Sequence, residues 1–131
     1  MKEIRAIDIY NNEIVPKIKE MDIFLKTEEN IPFKQVCNIL NITKTQLENI
    51  LKNINENHVN NKNFMYIILN GDSFICNVVK REIQCGSPHL YTPKQIAYIY
   101  DLDYEKVKKA YDFLNLDKIT SKQIPAILIQ I

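Results

Sequence analysis

Two amides and two lysines within residues 43–53 have the types and spacing needed to contact a nucleic acid. Gln46 and Asn49 are three residues apart, and each can make paired hydrogen bonds to an adenine edge. Lys44 and Lys52 carry charges that suit phosphate. With Lys34, which lies nearer the N-terminus, the candidate DNA contacts are Lys34, Lys44, Thr45, Gln46, Asn49 and Lys52.

The other reactive side chains form no catalytic pattern. The spacing brings no nucleophile or carboxylate to His58 or His89. Cys85 and His89 make a possible metal pair, but a zinc site needs more ligands than two. Glycine occurs only at positions 71 and 86, so a glycine-rich phosphate loop is absent. We therefore predict no enzyme activity, no cofactor and no metal.

Length, hydrophobicity and net charge limit the functions open to the chain. Its 131 residues are 46% hydrophobic, enough to bury a core in one compact domain or two very small ones. A formal net charge of +1 excludes a global basic field, so any DNA contact must come from a local patch. The apolar runs are too short to span a bilayer, and the N-terminus lacks the apolar core of a signal peptide. These features predict a cytoplasmic protein without membrane contact.

The cysteine count and the amino-acid usage give two further expectations. Cys37, Cys76 and Cys85 are odd in number and lie in apolar helical patterns, which indicates buried reduced thiols. The abundance of Asn, Ile and Lys is typical of proteins from AT-rich bacterial genomes or their phages and plasmids.

The candidate DNA contacts lie among apolar residues whose spacing predicts two short helices that meet at a tight corner. Thr43 is a good N-cap, so the first helix ends near Asn41 and the second begins at Lys44. Ile42 fills the corner between them. The apolar positions are Val36, Ile39 and Leu40 in the first helix and Leu47, Ile50 and Leu51 in the second.

This segment resembles the helix-turn-helix family of DNA-binding proteins. The family places a small residue in the first helix, glycine at the turn, an aliphatic plug, a Ser/Thr cap and aliphatic residues in the second helix. Here these slots hold Cys37, Asn41, Ile42, Thr43, Leu47 and Leu51. Asn41 departs from the usual glycine, but Asn enters the left-handed region more readily than other non-glycine residues.

The resemblance implies that the outward face of the second helix enters the major groove of DNA. Glu48 on that face has two open roles: it can accept from cytosine, or it can pair with Lys44 or Lys52 four residues away. The alternative to DNA contact is a solvated helix face of mixed charge.

A shift of 60 residues brings the chain into register with itself. The residues that coincide include Val36 and Ile96, Cys37 and Ala97, Ile39 and Ile99, Ile42 and Leu102, and Leu47 and Val107. Asp103 takes the place of Thr43 as a helix cap, and Thr92-Pro93 opens the preceding helix. The simplest interpretation is a duplicated three-helix unit at residues 13–55 and 73–115. We predict one unit in residues 1–60 and another in residues 61–131.

Three runs outside the helix pairs are predicted to be extended. Residues 4–10 alternate weakly, and residues 65–69 and 126–131 are β-prone runs that resemble single strands of a winged helix. Asn70-Gly71 is typical of a hairpin turn, but the spacing in residues 74–79 is helical. The favoured order is therefore strand, turn, helix.

The second helix pair differs from the first in its exposed residues. Asp101, Asp103 and Glu105 lie at the tip that would enter a groove, where carboxylates disfavour phosphate. Tyr98 and Tyr104 fall at positions that the helix-turn-helix pattern leaves exposed, and exposed tyrosines are more typical of a protein-binding surface. The alternative is that these two rings pack against the other unit. The candidate partner-binding residues are Tyr98, Tyr104, Lys106, Lys108 and Lys109.

Together these patterns predict a mainly α protein with tandem three-helix helix-turn-helix units and a few short β-strands, similar to winged helices. The predicted function is that of a small sequence-specific transcriptional regulator of bacterial, phage or plasmid type that binds double-stranded DNA. The rival prediction is a non-catalytic protein-interaction module that uses the same scaffold to bind another regulator. A protein partner or a homodimer would then use the second unit.

Overall fold

The chain is mainly helical in the computed structural model, which describes residues 5–131. Over this range there is no sheet, and extended pairing is limited to two isolated antiparallel bridges, Ile31 with Val59 and Tyr91 with Ile119. No helix between residues 5 and 131 combines the length and the apolar character needed to cross a membrane. The predicted mainly α class is confirmed.

Nine α-helices lie within residues 5–131. They are α1 (Ala6–Ile9), α2 (Val15–Leu25), α3 (Phe33–Leu40), α4 (Lys44–Lys52), α5 (Phe64–Asn70), α6 (Phe74–Gln84), α7 (Pro93–Ile99), α8 (Tyr104–Phe113) and α9 (Ile124–Ile129). A π-helical turn, Tyr10–Ile14, precedes α2, and a 3-10 turn, Ser121–Gln123, precedes α9.

Packing divides the described chain into two compact units. The central unit comprises residues 14–80, and the terminal unit comprises residues 5–13 with residues 81–131; the sequence had suggested a division after residue 60. In the central unit, α3 packs on α2 and α4, and α5 packs on α2 and α4. In the terminal unit, α8 packs on α7 and α9, and α1 packs on α9.

Each unit contains a helix pair that is held by the same local signals. In the central unit Asn41 is left-handed (φ 54°) and lies between α3 and α4; in the terminal unit Asp101 (φ 55°) lies between α7 and α8. Bridge residues flank both pairs: the Ile31 amide donates to the Val59 carbonyl at 2.8 Å, and the same link recurs 60 residues later. A left-handed residue closes one helix and lets the next begin at once, so the corner is set locally in each unit.

The predicted strands are wrong, because the apolar runs that were assigned to them are helical. Helix α5 covers residues 65–69, α9 covers most of residues 126–131, and α1 covers residues 6–9; Ile4 lies outside the described residues. The buried side chains are spaced i, i+3 and i+4, at Phe64, Ile67 and Ile68 in α5 and at Ile124, Ile127 and Leu128 in α9. In a run where almost every residue is apolar, the pattern fits both periods.

Local caps before α5 and α9 favour the helical period over the strand period in these apolar runs. Asn63 accepts from the Asn60 amide at 2.9 Å and donates to the His58 carbonyl at 2.8 Å just before α5. Thr120 and Gln123 form a capping box before α9, and Pro125 lies in its first turn. These signals are readable in the sequence.

The cysteines are less uniformly buried than the sequence indicated. Cys76 is fully buried, whereas Cys37 and Cys85 are half-buried, and all three are free thiols. Burial raises the pKa of the Cys76 thiol, an effect that Ser73 and Lys80 partly oppose. Cys37 therefore lies at the margin of the α3 core, not inside it.

Candidate functional site

The corner between α3 and α4 is fixed by a capping box: Thr43 is the N-cap that the sequence predicted, and Gln46 is a second member that was not predicted. The Thr43 hydroxyl accepts from the Gln46 amide at 3.1 Å, and the Gln46 side-chain oxygen accepts from the Thr43 amide at 2.8 Å. The Ile42 amide donates to the Cys37 carbonyl at 3.2 Å and closes the end of α3. Helix α4 therefore begins at Lys44 with a defined direction.

The six candidate DNA contacts are all exposed. Leu47, Ile50 and Leu51 form the buried side of α4, so the polar residues of this helix face outward. The exposed residues are Lys34 on α3 and Lys44, Thr45, Gln46, Asn49 and Lys52 on α4.

Two of these six residues already have intramolecular partners. The Gln46 side-chain oxygen is used in the capping box, so a paired hydrogen bond to adenine would require the cap to open. Lys44 lies 3.8 Å from Glu48, with both side chains more than half exposed, so the pair is weak. Asn49 has no side-chain hydrogen bond to the described residues.

A cleft of about 200 Å³ lies beside α4 and was not anticipated from the sequence. One wall is Ile42, Gln46, Asn49 and Ile50, and the other is Asn70, Gly71 and Asp72. The Asn70 side chain donates to the Tyr66 carbonyl at 2.8 Å. The Asp72 carboxylate is an available acceptor at this edge, whereas the Ser73 hydroxyl caps α6.

The candidate partner-binding residues lie on α7 and α8. Tyr98 is 51% exposed, and its hydroxyl donates to the side-chain oxygen of Gln84 at the end of α6. Its carbonyl accepts from Arg81 at 3.0 Å, so Tyr98 is fixed within the terminal unit. Tyr104 is 37% exposed at the start of α8.

The three lysines of the second helix pair differ in their surroundings. Lys108 lies 3.1 Å from Asp112, and this hydrogen bond raises the pKa of its ammonium group. Lys106 and Lys109 are exposed. Asp103 caps α8 as predicted, because its carboxylate accepts from the Glu105 amide at 3.1 Å.

A group of tyrosines in the terminal unit was missed by the sequence reasoning. The rings of Tyr10 and Tyr100 meet edge to face with centroids 5.7 Å apart. The Tyr91 hydroxyl donates to the Glu82 carboxylate, and the Tyr111 hydroxyl donates to the Tyr91 carbonyl at 2.9 Å. Three of these tyrosines stand 60 residues after aliphatic core residues, at Ile31, Leu40 and Leu51. The change from aliphatic residues to tyrosines at equivalent core positions could have predicted this group from the sequence.

Alkaline pH is expected to lower the stability of the fold through these tyrosines. Burial, with Tyr10 and Glu82 nearby, raises the pKa of Tyr100 above its ordinary value of 10. The folded state keeps the proton while the unfolded chain loses it, so the stabilisation is full below pH 10 and falls as the pH rises above it. The free energy of unfolding, measured by denaturant titration from pH 8 to 11, should stay level up to about pH 10 in wild type and then fall, by up to about 1.4 kcal/mol per pH unit for each such group. Tyr100→Phe should flatten that fall; an unchanged pH dependence would contradict the assignment.

The histidines and the half-buried cysteines form no metal-binding group. His58 and His89 are both exposed. Within residues 5–131, no three His, Cys, Asp or Glu side chains lie where they could together hold a metal ion.

Outward polar residues and a corner fixed by caps thus define the candidate site on α3 and α4. No protein-family model, curated protein or solved structure matches this chain.

Proposed function

We propose that the chain is a small, non-catalytic regulator that binds double-stranded DNA through α3 and α4, with α4 in the major groove as in helix-turn-helix proteins. The observation that carries the proposal is the capped corner at Asn41–Thr43, which turns one side of α4 into the core and leaves lysines, Thr45 and Asn49 on the other. Helices α7 and α8 would be a second copy of the same unit, in tandem with the first.

Local charge supports the first helix pair as the DNA-contacting one. Residues 31–63 carry four lysines and two carboxylates, whereas residues 91–123 carry six lysines and five carboxylates. Three carboxylates of the second pair lie at its tip, at Asp101, Asp103 and Glu105. A local excess of positive charge near α4 favours phosphate there.

Within this proposal the side chains have separate roles. Lys34, Lys44 and Lys52 contact phosphates, and Lys44 exchanges Glu48 for phosphate on binding. Asn49 reads adenine with its uncommitted amide, and Thr45 contacts either a base or a phosphate. Gln46 keeps the cap and can offer only its amide hydrogens.

A salt titration of DNA binding tests these roles. Lys44→Ala should weaken binding to all sequences and reduce the slope of log affinity against log salt by about one. Asn49→Ala should cost about 1–3 kcal/mol on the preferred sequence only. The matched control is Lys118→Ala, which removes an exposed lysine from the terminal unit. Lack of binding to any DNA fragment at low salt, or an equal loss in the control, would contradict the proposal.

The second candidate is a protein-interaction module that binds another regulator. It is favoured by the Lys44–Glu48 pair, which reduces the positive charge of the α4 face, and by the 75% exposure of Phe113 at the end of α8. In this case Tyr104→Ala should abolish self-association or partner binding, measured by sedimentation velocity, and should leave any DNA affinity intact.

A further inference from the structure

A groove of about 340 Å³ lies between α2 and α3 in the central unit, away from the outward residues of α4. It is lined by Glu20, Ile23, Phe24, Gln35, Asn38 and Ile39. Ile23 is 60% exposed although it borders the half-buried Phe24. The groove therefore has an apolar wall open to solvent and lies at the lower end of the size range of ligand pockets.

The polar residues of the groove lack partners within residues 5–131. Glu20, Gln35 and Asn38 make no side-chain hydrogen bond or ion pair to that part of the chain. Gln35 is uncommitted because Pro32, at the N-cap of α3, has no side-chain acceptor to form a capping box. At the equivalent position 60 residues later, Gln95 is tied to Thr92 in a capping box.

The equivalent place in the terminal unit carries an aromatic ring. Position 98, which corresponds to Asn38, is a tyrosine, and its hydroxyl reaches the side chain of Gln84, which corresponds to Phe24. An aromatic side chain from α7 thus extends to the end of α6, whereas Asn38 is too short to do so. In the central unit the corresponding space is open.

We infer that the α2–α3 groove is a docking site for a peptide segment of a partner protein that presents a tyrosine next to a basic residue. The ring would pack on Ile23 and Phe24, and the backbone or hydroxyl of the segment would bond to Gln35 and Asn38. The uncommitted carboxylate of Glu20 selects a basic neighbour by charge complementarity. This inference does not depend on DNA binding.

The test is an amide NMR titration of the full ¹⁵N-labelled chain with small tyrosine probes. N-acetyl-tyrosinamide should cause saturable shifts that centre on residues 23, 24, 35 and 38, and N-acetyl-alaninamide should not. N-acetyl-Tyr-Arg-amide should bind about two- to fivefold more tightly than N-acetyl-Tyr-Glu-amide. Glu20→Gln should remove that preference and keep the binding of the neutral probe.

Two variants should weaken binding in the groove in different ways. Asn38→Tyr copies the terminal unit and should fill the groove with the chain's own ring, and Ile23→Ser removes an exposed apolar wall without opening the core. Each should reduce the affinity for N-acetyl-tyrosinamide at least about tenfold, or to no detectable binding. The control Asn57→Tyr adds the same ring at an exposed position of the central unit outside the groove and should bind as wild type does.

Three results would overturn the inference. They are the absence of saturable shifts with any tyrosine probe in wild type, shifts that survive both Asn38→Tyr and Ile23→Ser, and equal affinity for the Arg and Glu dipeptides. Because none of these measurements contains DNA, the proposed DNA function can fail while this inference holds, and the reverse is equally possible.

Discussion

Replacement of Phe64 by alanine is expected to lower the free energy of unfolding by about 3–5 kcal/mol. The Phe64 side chain is fully buried at the start of α5, where it meets the Phe24 ring edge to face with centroids 5.6 Å apart. Helix α5 packs on both α2 and α4, so the loss of the ring leaves a cavity where three helices meet. Chemical denaturation of the purified variant measures the change.

Phe113 provides a control for the same substitution. It is 75% exposed at the end of α8, so Phe113→Ala should change the free energy of unfolding by less than about 0.5 kcal/mol. The loss expected for Phe64→Ala, in contrast, would equal a large part of the total stability of a small protein. If Phe64→Ala and Phe113→Ala had similar effects, the packing of α5 against α2 and α4 would be wrong.

Replacement of Gly71 by alanine is expected to cost about 1–3 kcal/mol through overpacking. A Cβ atom at Gly71 would lie 2.6 Å from Cys76 Sγ, and the Cys76 side chain is fully buried. The sulfur is itself 3.9 Å from the Leu40 carbonyl, so the surroundings limit how far it can move. Thermal unfolding of Gly71→Ala should show a clearly lower melting temperature.

The double variant Gly71→Ala/Cys76→Ala separates this contact from other effects of the first substitution. Removal of the sulfur relieves the contact, so the cost of Gly71→Ala should be smaller in the Cys76→Ala background. Gly86→Ala is the matched control: its new Cβ meets no atom within 4 Å, but its φ of 76° is unfavourable for alanine. The cost of Gly86→Ala should not change with Cys76→Ala; equal costs of Gly71→Ala in both backgrounds would exclude the clash.

Sequence reasoning succeeded where short polar signals set the structure. Thr43, Asp103 and Asn41 act in caps and turns within a few residues of themselves, and the structure places each as predicted. The spacing of apolar residues in α2, α6 and the two helix pairs was also sufficient to predict helices. Helices α3, α4, α6 and α8 have one apolar and one polar side, which makes the period visible.

Sequence reasoning failed for α5 and α9, which were predicted to be strands. It also missed the hydrogen bond of the Gln46 side chain to the Thr43 amide. The apolar runs of α5 and α9 contain too few polar residues to show a period, and the caps before them were overlooked. Thr43 and Gln46 fit the capping-box spacing, which is repeated at Thr92 and Thr120, so the role of Gln46 was readable. The cleft beside Asp72 and the groove beside Ile23 depend on how separate helices pack together, which spacing along one helix does not give.

The assignment of residues 5–13 to the terminal unit has a consequence for how the chain is made on the ribosome. The central unit is one continuous piece, so all of it has been synthesised when residue 80 is added. The terminal unit is complete only when α9 has joined α1, and α9 is the last helix in the described chain. Helix α1 therefore leaves the ribosome before α9 has been synthesised, and the apolar surface around Ile7 stays uncovered during that interval.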